Sequence, residues 1–256
     1  EEPAQEKVPQ RKAEETAQTE DAQTKAGQEK EAFDTAKNDG NCVGIVRLLT
    51  EATAADVQRH GCQRVWEMIR PTRETSYADA NKKHEVALVA AGCLEAVIQC
   101  MQSHPEHVGV QAEGCFALMC LAVQRAHKVR MAEAGGIAVI LAAMPQHTDS
   151  IEVQEYGCRA LGNMAWNDAN KRIIAEKGGI EAAFRAMTQH SHHEGVQRWG
   201  CYMMYFMVDL ASARPAIRKG KAVMDAAWNN FPNNDQIKSY LDEVYDRIYC
   251  TVPTPA

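Results

Sequence analysis

Residues 153–166 read VQEYGCRALGNMAW. The stretch has the look of a helix, yet Gly157 and Cys158 sit in its middle. A glycine inside a helix costs about 1 kcal/mol relative to alanine, and a cysteine in a cleft can act as a nucleophile or metal ligand. Three further copies decide between a chemical site and a packing device. They are VQRHGCQRVW at 57–66, VQAEGCFALM at 110–119 and VQRWGCYMMY at 196–205. Their cysteines, Cys62, Cys115, Cys158 and Cys201, step by 53, 43 and 43 residues. A nucleophile needs to occur once, whereas a packing rule recurs. The pair therefore reads as packing: Gly157 admits a neighbouring helix and Cys158 fills a small apolar gap.

Two more registers run at the same period. AGCLEAVIQCMQSH begins at Ala91, AGGIAVILAAMPQH at Ala134 and KGGIEAAFRAMTQH at Lys177. Gly92, Gly135 and Gly178 fall 43 apart, as do Met101, Met144 and Met187, and His104, His147 and His190. His84, His127 and Asn170 form the third register. The one irregular step comes from ten extra residues in or near RPTRETSYAD (70–79), a loop by composition.

Each unit reads as three helices. NDANKRIIAEKG (167–178) is short and starts on capping residues. After a Gly-Gly turn, IEAAFRAM (180–187) has the i, i+3, i+4, i+7 apolar pattern. VQRWGCYMMYFMVDL (196–210) is the longest and is apolar on more than one face, as a helix buried between neighbours must be. Units of 40–47 residues that bury their faces against adjacent units make an α-solenoid. The segment 40–58 is a truncated first unit. PNNDQIKSYLDEVYDRIYC (232–250) is a final amphipathic helix with Ile237, Leu241, Val244 and Ile248 on one face.

On NKRIIAEKGGIEAAFRAM and VQEYGCRALGNMA, the chain resembles an armadillo-repeat protein over roughly residues 40–250. The resemblance implies an all-α fold, a right-handed α-solenoid of about four three-helix repeats with a polar N-terminal extension. It also implies that the third helices line a concave groove that binds protein. In the nuclear-import receptors of this fold, the third helix carries a Trp and, four residues on, an Asn that holds a basic peptide. Here those places are Gln63 and Glu67, Phe116 and Cys120, Arg159 and Asn163, Tyr202 and Phe206. One Asn and no Trp remain, so the chain is divergent from the import-receptor type and that binding is not carried over. Aromatics and arginine dominate binding hot spots. The candidate partner-binding residues are therefore Phe116, Arg159, Asn163, Trp199 and Tyr202. The competing reading of Phe116, Tyr202 and Phe206 is inter-repeat core.

Composition bounds the rest. The domain division expected is 1–38 as a polar, acidic extension, 39–250 as the repeat domain and 251–256 as a tail. Residues 1–32 contain no Leu, Ile, Met or aromatic residue, so they are expected to be disordered, a solvated helix, or ordered by a partner. Residues 1–38 hold 10 acids and 6 bases, leaving 24 and 22 for the remainder. A near-neutral body argues against a nucleic-acid surface. No apolar run approaches a membrane span. Nine cysteines, an odd number without a CxxC pair, read as reduced thiols. The compartment expected is the cytoplasm or another reducing one, with an organelle stroma or matrix or a cilium left open. The cluster HSHHEG (His190, His192, His193, Glu194) invites a metal, but His190 belongs to a repeated position. No cofactor, no metal and no catalytic constellation is expected. The chain thus reads as a non-enzymatic scaffold or adaptor; the alternative is a permanent structural subunit of a large cytoskeletal, ciliary or organellar assembly.

Overall fold

The computed structural model describes residues 7–70 and 80–249, with side chains from 19–70 and 82–249. Most of the 70–79 insertion and the 251–256 tail lie outside the described residues. The helices are, in order, α1 (Lys7–Asn38), α2 (Cys42–Glu51), α3 (Ala55–Ile69), α4 (Ala80–Ala90), α5 (Cys93–Ser103), α6 (Val108–Leu121), α7 (Arg125–Glu133), α8 (Gly136–Gln146), α9 (Ile151–Met164), α10 (Asp168–Glu176), α11 (Gly179–Gln189), α12 (Glu194–Met207), α13 (Arg214–Lys219), α14 (Lys221–Asn230) and α15 (Asp235–Tyr249). There is no strand among the described residues. Helices α4–α6, α7–α9, α10–α12 and α13–α15 are four three-helix units. Helices α2 and α3 form the shortened first one. The fold is an all-α solenoid.

The turn between first and second helices is set by glycine. Gly92, Gly135 and Gly178 have φ of 94°, 93° and 77°, a left-handed conformation that residues with a Cβ avoid. The longest inter-unit packing runs along the third helices, α3 on α6, α6 on α9, α9 on α12 and α12 on α15. These helices form one face of the array, and the second helices form the other. Second helices touch each other far less. A cavity of about 540 Å³ opens between them near Pro145, Phe184 and Val223.

The Gly-Cys pair and the repeated methionine prove to be two halves of one device. A Cβ at Gly157 would sit 2.9 Å from Met144 Cγ, which belongs to the second helix of the same unit. Gly114 meets Met101 and Gly200 meets Met187 in the same way. The missing side chain is what lets the second and third helices of a unit close on each other. All four cysteines of the pair are fully buried beside it. In the last unit Leu241 stands in the glycine's place, seven residues past the capping Asn234, as Gly200 is past His193.

Buried glutamines complete the unit. Gln154 Nε2 donates to the carbonyls of Met144 (2.7 Å) and His147 (2.9 Å), the open end of the second helix. Gln111 and Gln197 repeat both bonds. Helix ends leave such carbonyls without intrahelical donors. Replacing Gln154 by leucine removes the side-chain donor to the Met144 carbonyl inside the core and leaves the His147 carbonyl with the Ser150 amide alone, and the expected loss is about 2 kcal/mol in a urea-unfolding titration. An unchanged midpoint would show that the glutamine is dispensable.

Neighbouring units are also tied through side chains. His147 Nε2 lies 2.7 Å from the Pro105 carbonyl and His190 Nε2 lies 2.7 Å from that of Thr148. Asn230 Nδ2 reaches the Ser191 carbonyl in the same sense. His104, first in this register, makes no such bond, and its Nε2 is buried without a partner.

The N-terminal extension is helical over its described residues. α1 runs from Lys7 to Asn38, and its last turns pack on α3 as α3 packs on α6. The anchor is Phe33, fully buried, which lies against Gly61 together with Leu49. Asp34 pairs with Arg64 and lies 2.9 Å from His60, and Lys37 pairs with Glu67 at 2.7 Å. The division at residue 38 falls at the end of α1, whose last turns pack on the repeat body. α1 covers the apolar side of α3 that a preceding unit would otherwise cover.

Candidate interaction surface

The third helices bring aromatic and cationic side chains onto one face. Counted from each repeated glycine, the residue before it and the residue two after it lie one turn apart and share that face. These pairs are His60 and Gln63, Glu113 and Phe116, Tyr156 and Arg159, Trp199 and Tyr202. Two aromatic groups result. In the first, Phe116 packs edge-on to Trp66 at 4.7 Å and against Tyr156 at 4.5 Å between ring centres. In the second, Tyr202 meets Trp199 at 5.4 Å, Phe206 at 4.9 Å and Tyr240 at 5.5 Å. Trp166, 60% exposed, stacks on Phe206 at 4.7 Å and borders a cavity of about 320 Å³ with Arg125 and Lys128.

Arg159 links the two groups. Its guanidinium lies 4.1 Å from the centre of the Trp199 ring, and that of Arg198 lies 4.6 Å from the same ring. Arg70 sits 5.8 Å from the Trp66 ring. A cation over a desolvated indole is worth about 2 kcal/mol, less where exposed.

The five expected residues are thus together on one face, in different states. Phe116, Trp199 and Tyr202 are half-buried and ring-packed, and Phe206 is buried in the core. Asn163 is engaged within the array: its Nδ2 donates to the Met119 carbonyl at 3.2 Å and its Oδ1 accepts from the Tyr202 hydroxyl at 3.1 Å. The hydroxyl in turn accepts from Trp166 Nε1 at 3.2 Å. This chain of bonds holds α6, α9 and α12 in register, so Asn163 acts as a strut beneath the surface. Burial pushes the Tyr202 phenol up, with the Trp166 bond and the Arg159 charge opposing. Trp66, Tyr156, Tyr240, Arg70 and Arg198 were not among the expected residues. The signal that points to Tyr156 and Tyr240 is the place before the glycine, or before Leu241.

The other candidate chemistries do not assemble. Burial pushes the Cys115 and Cys158 thiols up to about 12 and that of Cys201 higher still, the opposite of an activated thiolate. Of the histidine cluster, His190 bonds a carbonyl and His193 Nδ1 accepts from the Val196 amide as a helix cap. His192 is exposed. No three His, Cys, Asp or Glu side chains among the described residues are grouped to hold a metal ion. No single described helix is long and apolar enough to cross a membrane.

Comparison with protein families decides the identity. The model of the LRRK2 ARM repeat matches residues 83–240, from α4 into the first turns of α15. The chain belongs to the LRRK2 ARM repeat family. Among curated proteins, none matches the sequence. The matched span begins after the insertion, so α1 to α3 extend the ARM array on the N-terminal side. ARM arrays are in general protein-interaction scaffolds. The surface described above is the ARM array's third-helix face, with Phe116, Arg159 and Tyr202 at three of the four places where the import-receptor type has its Trp.

Proposed function

We propose that this ARM protein is a non-catalytic scaffold or adaptor that binds a protein partner on its third-helix face, in a reducing compartment. The observation that supports this most is the run of half-buried rings and guanidiniums from Trp66 to Tyr240 across α3, α6, α9, α12 and α15. Large amphipathic side chains held rigid by their neighbours lose little entropy on binding, which is why they form hot spots. Arg159 and Tyr202 lie at the middle of the run and are the residues on which partner affinity should depend. Affinity capture from the native source, with partners identified by mass spectrometry, tests the proposal. Arg159→Glu combined with Tyr202→Ala is expected to lower capture of the wild-type partner at least roughly tenfold. Circular dichroism confirms folding of the double variant. Undiminished capture by the folded variant would remove this face from the account.

A second reading, a permanent structural subunit, is favoured by α1. The helix continues to Lys7, far beyond the Phe33 anchor, and residues 19–25 are exposed. At 1.5 Å per residue its 32 residues span about 48 Å. In a permanent assembly this arm would lie along a neighbour. Rapid proteolysis within residues 1–25 of the native assembly would count against that reading.

A further inference from the structure

We infer that the partner segment is an acidic peptide whose Asp or Glu carboxylates pair with Arg70, Arg159 and Arg198. The inference rests on the third-helix face being the binding face and adds the chemistry of what binds there. It starts from how charges on that face are already spent.

Arg59 pairs with Asp56, Arg64 with Asp34 and Glu67, and Arg247 with Asp209 and Glu243. Among the described residues no carboxylate pairs with Arg70 or Arg159, and Arg198 reaches only the Gln236 amide oxygen at 3.4 Å. The carboxylates nearest the aromatic run are otherwise engaged. Glu67 binds Lys37 and Arg64, and Glu113 accepts from Trp66 Nε1 at 2.6 Å. Glu155 lies 3.7 Å from His193. Glu152 accepts from the Ser150 hydroxyl. Each of the three ring-stacked guanidiniums therefore lacks a carboxylate partner among the described residues, although Glu113, Glu152 and Glu155 lie on the same side around Tyr156.

The three guanidiniums also act on one continuous surface. Cys120 lies within the field of both Arg70 and Arg159, and the Tyr240 phenol within that of Arg159 and Arg198. Arg198 Nε and Trp199 Nε1 are buried donors without an acceptor in the free chain. A buried donor left unpaired is unfavourable, and an incoming carboxylate is the acceptor that a guanidinium's planar fork matches best. Stacking on indole holds each fork in place before the ligand arrives. Arg70 at the end of α3, Arg159 on α9 and Arg198 on α12 would be met by an extended segment crossing the third helices, with a carboxylate over each arginine and side chains resting on the rings between them.

The test uses the full folded chain and a phage-displayed random-peptide library. Selected sequences are expected to be rich in Asp and Glu. A synthetic copy of the best one should bind roughly tenfold more weakly to Arg159→Glu and to Arg70→Glu. Its affinity should also fall as salt rises from about 0.05 M to about 0.5 M. Arg70 is exposed at the end of α3, so that variant reports on charge even where Arg159→Glu perturbs folding. Arg159→Gln gives a smaller loss in the same direction. Basic or neutral sequences weakened by Tyr202→Ala would overturn the acidic partner and leave the scaffold face standing. Sequences indifferent to Tyr202, Arg70 and Arg159 would overturn both. Failure to enrich any sequence would overturn the inference, as would tighter binding of a single-stranded oligothymidylate through the same arginines.

Discussion

Replacing Gly157 by leucine is expected to lower stability by about 3 kcal/mol, the upper range for forcing extra carbons into a packed core. Even a methyl group there would sit 2.9 Å from Met144 Cγ and 3.5 Å from Ile140 Cγ2. Leucine adds three further carbons between α8 and α9. Helix propensity returns at most about 1 kcal/mol. Because each unit packs only on its neighbours, the damage should stay near the central units. Urea unfolding followed by circular dichroism should show an early transition of part of the helix content. Cys158→Ala is the matched control. It removes one buried sulfur without a clash and should cost about 1 kcal/mol. Equal losses in the two variants would contradict the reading of glycine as the contact point.

Phe33→Ala is expected to cost about 3–5 kcal/mol, as deletion of a fully buried aromatic does. The loss falls on the α1–α3 junction. Phe33 is the large apolar group that α1 contributes there, and the Asp34 and Lys37 ion pairs are partly exposed and individually weak. With Phe33 gone, α1 should detach while α4 to α15 stay folded. Limited trypsin digestion should then cut at Lys25, Lys30 and Lys37 many times faster than in the wild type, with the rest of the pattern unchanged. Resistance equal to wild type would mean that α1 is held by something other than this anchor.

The fold was legible because a solenoid must solve the same packing problem in each unit. That forces Gly157 and Met144 to recur at a fixed step, and a recurring step is visible without any structure. What was not visible is that these two registers touch. Their separation of 13 residues across a turn carries no signature of its own. The repeated glutamine was equally plain and equally mute, since the carbonyls it caps lie seven and ten residues earlier. Phe33 escaped because a single aromatic in a long polar helix makes no periodic pattern, so its burial depends on Gly61 leaving room for it.

The candidate face was legible in part. Arg159 and Tyr202 occupy the place two after the glycine, where the import receptors carry their Trp. Tyr156 and Tyr240 sit one turn earlier, a place to which that family pattern assigns nothing. Asn163 was expected to face a partner; within the chain it bonds the Met119 carbonyl and the Tyr202 hydroxyl, which the sequence alone did not show. The residues that differ from copy to copy carry the surface, and those that repeat carry the fold.

The central claim is that partners dock on the third-helix face. Hydrogen exchange of the chain, free and within its native assembly, measures that directly. The account predicts slowed exchange in residues 156–166 and 198–206 on assembly. Protection confined to the second helices, residues 179–189 and 221–230, would contradict it.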